Sequence, residues 1–220
     1  MMRALRILVA VLFLALVAGW GWAWFARAPG ESWPLAFARV LTGRAAPQPV
    51  SADAVALPPG VSLGGPFALV NQDGQAVTDR SYRGKAVLIF FGYTFCPDVC
   101  PTELSVMAAA IDQLGPLASR VQPVLITIDP ERDTPAKLKD YVALFHPSIQ
   151  GLTGTAEQIA AVAKEYRVYY ARSDAPEASD YLMDHSGFTY LLGPDGQFRA
   201  MFRPGVPPES LAEAVRRVLG

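Results

Sequence analysis

Cysteine and histidine are scarce in this chain, which has only two of each among 220 residues. So few cysteines exclude a small domain held together by several disulfides. Charged residues are also sparse, at 18%, and the 19 basic and 20 acidic side chains nearly cancel. Because nucleic-acid-binding proteins usually carry a basic excess, no nucleic-acid partner is expected. The 51% of apolar residues excludes disorder of the chain as a whole.

A segment without charged residues lies near the start of the chain, at residues 7–26. Twenty helical residues rise about 30 Å, the thickness of the hydrocarbon core of a bilayer. Arg3 and Arg6 precede the segment, and three tryptophans lie at its far end, which favours a cytoplasmic N-terminus. The sequence therefore predicts a single-pass anchor over residues 1–26, with the rest of the chain exported. Because no transit-peptide composition precedes the anchor, we expect a bacterial cell membrane with the globular part on the periplasmic side. A cleaved secretory signal is the alternative.

Two further regions follow the predicted anchor. Residues 27–60 contain repeated prolines and many small residues, the composition of a semi-rigid linker. Residues 61–220 are long enough to bury a core as one domain. We therefore predict an anchor, a Pro-rich linker and one globular domain.

The globular part alternates strand and helix patterns in the order βββαβααβββα. Two continuous apolar runs, Ala86–Gly92 and residues 121–128, are typical of buried central strands, and a helix over residues 101–114 joins them. This order predicts a mixed α/β fold with helices on the faces of a central sheet. The joined strands form a right-handed βαβ unit, so the loop after the first strand lies at the carboxyl edge of the sheet.

Both cysteines, Cys96 and Cys100, fall in that loop, where a helix begins. Residues four apart lie on one face of a helix, so both sulfurs can point at one centre. Unpaired N–H groups at the start of a helix favour a thiolate, the form that binds metals and attacks disulfides.

Three uses of the thiol pair remain open from the residues alone. Paired thiolates select soft metal ions such as Cu(I). A thiol–disulfide redox pair is the second use, in which Cys96 and Cys100 would be catalytic, although the spacing is one residue longer than in thioredoxin-type motifs. A structural disulfide would close so short a loop that it would add little stability.

The two histidines differ in their surroundings. His146 ends a predicted helix, where a histidine complements the helix dipole. His185 follows a polar loop and precedes an apolar strand, so it can fold over the edge of the sheet towards the cysteines. Imidazole is a common copper ligand, which makes His185 the candidate for a third ligand.

Four ordered motifs together resemble the Sco/SenC family of copper chaperones, namely residues 93–102, 129–135, 151–154 and 184–186. The resemblance covers residues 62–218 and extends to the membrane anchor. It implies a thioredoxin-like fold with an extra β-hairpin, and one copper ion held by Cys96, Cys100 and His185. It also implies assembly of the binuclear copper centre in cytochrome c oxidase subunit II.

The resulting hypothesis is a membrane-anchored copper chaperone that binds one Cu(I) or Cu(II) ion per chain. Its expected partners are cytochrome c oxidase subunit II and a periplasmic copper donor chaperone. The alternatives are a thiol–disulfide oxidoreductase that keeps the target cysteines reduced, and a copper or redox sensor. The resemblance implies that Asp129 lies near the metal site, whereas the residues alone are equally consistent with a turn residue. Asp133 and Thr134 are expected as helix caps.

Overall fold

The computed structural model describes residues 2–25, 34, 42, 50–58, 61, 63–173 and 181–220. Contacts divide the chain into two units. One comprises Met1–Pro49 and Leu57–Val61, and the other comprises Val50–Ala56 and Ser62–Gly220.

The first unit contains helix α1, Met2–Phe25, over the segment without charged residues. None of the helices in the described part of the chain combines the length and hydropathy of a membrane span. The predicted membrane-spanning helix is therefore not confirmed. Most of the predicted linker, residues 27–60, lies outside the described residues.

The second unit is built on a mixed sheet with a separate two-stranded ribbon. The sheet has the order β2-β1-β5-β4-β3-β8-β9, and the ribbon pairs β6 with β7. The strands are β1 Ala68–Asn71, β2 Ala76–Thr78, β3 Ala86–Gly92, β4 Val121–Thr127, β5 Gln150–Thr153, β6 Tyr170–Ser173, β7 Leu182–His185, β8 Thr189–Leu192 and β9 Phe198–Phe202. The central strands β3, β4 and β5 are parallel, and β1 and β8 pair with them antiparallel.

Four helices belong to this unit: α2 Val99–Leu114, α3 Pro135–Ala143, α4 Ala156–Glu165 and α5 Pro208–Leu219. Short 3₁₀ turns occupy Asp79–Tyr82 and Gly115–Arg120. Helix α3 begins as the sequence predicts, because the Thr134 hydroxyl accepts a hydrogen bond from the Lys137 N–H and Pro135 opens the first turn. Thr155 and Gln158 cap α4 reciprocally.

The predicted mixed α/β fold is confirmed, with two strands more than the predicted order. Strand β5 is missing from that order because only four residues, including Gln150 and Gly151, carry its pattern. Its pairing with β4 and β1 supplies the strand, and Leu152 is fully buried there. Strand β7 replaces the end of the predicted polar loop, whose residues 174–180 lie outside the described residues.

The end of β3 approaches the cysteine loop closely at Gly92. Every residue of β3 is buried. A Cβ atom on Gly92 would lie 2.9 Å from the Cys100 sulfur and 2.8 Å from a ring carbon of Phe90. The missing side chain therefore leaves the space that the Cys100 sulfur occupies.

Replacing Gly92 tests this close packing. We expect Gly92→Ala to lower the free energy of unfolding by about 1–3 kcal/mol, because the added methyl group overpacks the core. Denaturant unfolding of the full chain measures the change. Gly19→Ala is the matched control, since a Cβ there meets no atom within 4 Å. Equal stability of both variants would contradict the packing argument.

Candidate metal centre

The first half of the site is the turn between β3 and α2. The Cys96 N–H donates to the Tyr93 carbonyl over 3.3 Å, which folds the chain back before the helix begins at Val99. Cys96 therefore precedes α2 and does not belong to its first turn. The N–H of Cys100, at the helix start, donates to the Cys96 sulfur over 3.4 Å. Both thiols are free.

The second half of the site is the ribbon of β6 and β7. His185 ends β7, opposite Tyr170 of β6. Its Nε2 lies 3.4 Å from the Cys100 sulfur, and its Nδ1 donates to the Ser186 carbonyl over 3.3 Å. With Nδ1 engaged, Nε2 is the nitrogen available to a metal ion.

The three candidate ligand atoms converge. One ligand atom each from Cys96, Cys100 and His185 lies within 4.8 Å of the other two. Cys100 is fully buried, whereas Cys96 and His185 are partly exposed. The sequence thus selected three residues that the fold does bring together.

Two aromatic rings flank the imidazole. The rings of Phe90 and Tyr93 each meet the His185 ring edge to face, with centroids 6.0 Å apart. Phe90 lies in β3 and Tyr93 follows that strand, so the elements that present the cysteines also pack against the histidine. These contacts restrict the orientation of the imidazole.

The pKa values of the two thiols are shifted in opposite directions. Hydrogen bonding from the Cys100 thiol, with a further contribution from His185, lowers the pKa of Cys96 to about 4, and burial opposes this shift. The hydrogen bond with Cys96 and then burial raise the pKa of Cys100. The pair therefore shares one proton and carries one thiolate at neutral pH, and a bound cation would favour loss of the second proton.

A buried carboxylate, that of Asp133, holds the cysteine loop in place by hydrogen bonds. Asp133 is fully buried, and its oxygens accept hydrogen bonds from the Thr94 N–H at 3.0 Å and the Thr94 hydroxyl at 2.6 Å. It also accepts one from the Thr127 hydroxyl at 2.6 Å. Asp133 is therefore not the helix cap that we expected. It joins the cysteine loop to the end of β4.

The structure also shows the contacts of the other residues that the sequence singled out, Asp129 and His146. Asp129 is buried and paired with Arg132 rather than serving only as a turn residue. His146 lies outside the three-residue group, and its Nδ1 contacts the Ser148 hydroxyl at 2.7 Å. The sequence gives no sign of a role for Arg132 or Tyr181, although Arg132 lies in the motif at residues 129–135.

The donor set fits a soft cation. Two sulfurs and an imidazole nitrogen suit copper or zinc and offer no oxygen ligand to a hard cation. The fold around them is thioredoxin-like, with the thiols between a central strand and the helix that follows it. These features define a thioredoxin-like domain with a candidate metal centre of two cysteines and one histidine.

Comparison with known proteins identifies the family. A profile of the SCO1/SenC family matches residues 56–220. The chain is 44% identical over 155 residues to the SCO1 homolog 1 of Arabidopsis thaliana mitochondria, which covers 70% of this chain and 46% of that protein. It spans about half the length of such curated relatives. This protein belongs to the SCO1/SenC family.

Solved structures agree with this membership. The copper-bound structure of Bradyrhizobium japonicum ScoI has a TM-score of 0.67 and 44% identity, over 71% of this chain and 99% of that chain. BsSco has a TM-score of 0.58 and 27% identity, over 78% of this chain and 98% of that chain. BsSco is described as carrying a disulfide switch and as a member of the Sco family of cytochrome c oxidase assembly proteins.

The buried Asp133 carboxyl group predicts that the free energy of unfolding depends on pH. Burial raises the pKa of Asp133 above its ordinary value of 3.8, against the hydrogen bonds from the two threonines. A raised pKa in the folded state means that its contribution to stability is present below the unfolded pKa and is lost as pH rises through the folded pKa. We therefore expect the stability of the wild type relative to Asp133→Asn, which cannot titrate, to fall as pH rises from below about 4.

Urea unfolding of both proteins across a series of pH values measures this difference. A relative stability that stays constant, or that increases with pH over this range, would contradict the raised pKa.

Proposed function

We propose that this chain is a copper chaperone for the assembly of cytochrome c oxidase, with Cys96, Cys100 and His185 as the copper ligands. The observation that carries the proposal is the convergence of these three ligand atoms within 4.8 Å. Membership of the SCO1/SenC family supports copper as the cargo, because ScoI has been solved with copper bound. The described role of BsSco supports the oxidase as the destination.

The chemistry of the site suits transfer rather than permanent storage. Thiolates favour Cu(I), and the imidazole makes Cu(II) acceptable as well. Three protein ligands leave room for a fourth from a partner, and the partly exposed Cys96 lies on the accessible side. A cysteine or histidine of the partner then replaces these ligands one at a time, so copper passes over without being released into solution.

The proposed donor is a periplasmic copper chaperone, and the proposed receiver is the binuclear copper site of subunit II. Both exchanges need the domain outside the cytoplasm. The segment without charges at residues 7–26 supports a single-pass attachment to the bacterial cell membrane.

Membrane attachment has its own test. We expect the full chain to remain in the membrane fraction after alkaline washing and to be digested by protease added to spheroplasts. N-terminal sequencing checks whether α1 is retained. Recovery of a shortened chain from the soluble periplasm would show a cleaved signal instead of an anchor.

Copper titration tests the ligand set. We expect the reduced full chain to bind about one copper ion per chain under anaerobic conditions, and Cys96→Ala and His185→Ala to lose it. His146→Ala is the matched control, because this second histidine lies outside the three-residue group. With Cu(II), the wild type should show thiolate charge-transfer bands that His185→Ala alters. Full binding by both site variants would reject the ligand set.

A thiol–disulfide reductase is the second candidate, favoured by the lowered pKa of Cys96 beside the raised pKa of Cys100. A reductase needs both thiols but no histidine ligand. In that case, His185→Ala would still reduce a test disulfide while the copper titration of the wild type would show no stoichiometric binding. The same set of variants therefore distinguishes the two functions.

A further inference from the structure

The ribbon of β6 and β7 carries one candidate ligand but does not pair with the main sheet. Its contacts with the rest of the domain therefore decide where His185 lies. Tyr181 immediately precedes β7, and Met183 and His185 lie within that strand. All three contact the body of the domain.

Tyr181 makes the most polar of these contacts. Its hydroxyl donates to Asp129 Oδ1 over 2.8 Å, and its carbonyl accepts from Arg132 Nη1 over 2.9 Å. The Arg132 guanidinium also lies over the Tyr181 ring, 3.6 Å from its centroid. Two residues of the body thus hold both the backbone and the side chain of Tyr181.

The same two residues form a buried ion pair. Arg132 Nε donates to Asp129 Oδ2 over 2.5 Å, and the side chains are only 12% and 3% exposed. Because a buried charged pair has a fixed geometry, it presents Tyr181 with a rigid contact surface. We call Asp129, Arg132 and Tyr181 the latch.

A second contact forms only when the ribbon lies against the body of the domain. The Met183 N–H donates to the Tyr93 hydroxyl over 3.1 Å, across the gap between ribbon and body. Met183 lies midway between Tyr181 in the latch and His185 in the site. We expect this contact to protect the Met183 amide from solvent exchange only while the ribbon lies against the body of the domain.

We infer that the latch positions His185, and that its opening converts the centre from three protein ligands to the two thiolates alone. The copper part of this inference rests on the function proposed above. Two thiolates still satisfy Cu(I), whereas Cu(II) depends on the imidazole. The latch therefore sets the preference between the two oxidation states of copper and makes the histidine the first ligand that a partner can displace.

The first experiment measures docking of the ribbon without any metal. In the full-length apoprotein, we expect Tyr181→Phe to speed exchange of the Met183 amide about tenfold, because the variant loses a hydrogen bond to a charged group. Tyr169→Phe is the matched control, since the exposed Tyr169 precedes the same ribbon. Its exchange should equal that of the wild type. Unchanged exchange in Tyr181→Phe would overturn the latch.

The second experiment measures the consequence for copper. If the docked ribbon is strongly favoured, a single substitution in the latch can weaken docking with little effect on the affinity for Cu(II). The double variant Asp129→Asn/Tyr181→Phe is therefore needed as well. We expect its Cu(II) affinity to fall at least tenfold, towards that of His185→Ala, while its Cu(I) affinity changes less than threefold. An equal fall for both ions, or no fall for Cu(II), would overturn the positioning role.

The two experiments separate this inference from the proposed function. If the wild type binds no copper, the proposed function fails, and the exchange rates alone then decide whether the latch holds the ribbon.

Discussion

The hydrogen bond from the Cys100 amide to the Cys96 sulfur is the constraint on which the rest of the site depends. It fixes one sulfur at the start of α2, where unpaired N–H groups create a positive potential. The other sulfur belongs to the first turn of the same helix and is buried against β3. A fully buried strand on one side and a helix on the other leave this pair little freedom. The cysteines thus form the rigid part of the centre.

The histidine completes the centre from an element with fewer connections. The segment that follows β4 links the cysteine loop to the ribbon, because each of its two buried carboxylates binds a different one of them. Asp133 accepts hydrogen bonds from the cysteine loop, and Asp129 accepts one from Tyr181 of the ribbon. Asp129 and Asp133 lie four positions apart, so one short segment contacts both the cysteine loop and Tyr181 immediately before β7 of the ribbon. A rigid pair of soft ligands with a third ligand on a separate ribbon suits the copper transfer proposed above.

Much of this arrangement could be predicted from local sequence. The apolar run Ala86–Gly92 predicts a strand that the structure reproduces with the same bounds. The loop after it predicts the place of the cysteines, since parallel strands joined by a helix fix the edge at which that loop lies. Helices α3 and α4 begin at the threonines whose side chains cap them.

Other features depend on contacts that no local pattern records. Strand β5 has too few apolar residues to show a period, and its neighbours supply its pairing. The role of Asp133 depends on Thr94, which lies 39 residues away in sequence, and a capping pattern at residues 133–134 obscured it. The contact between Tyr181 and Asp129 spans 52 residues. The chemistry of imidazole and the family resemblance made His185 a candidate ligand. Only the fold shows that His185 lies beside the Cys100 sulfur.

X-ray absorption at the copper edge can establish whether Cys96, Cys100 and His185 hold the metal, because it identifies and counts the atoms around copper in the loaded full chain. We expect two sulfur ligands and one imidazole nitrogen around the copper, with the nitrogen absent from the spectrum of His185→Ala. A wild-type spectrum with a single sulfur, or without an imidazole contribution, would contradict this ligand set.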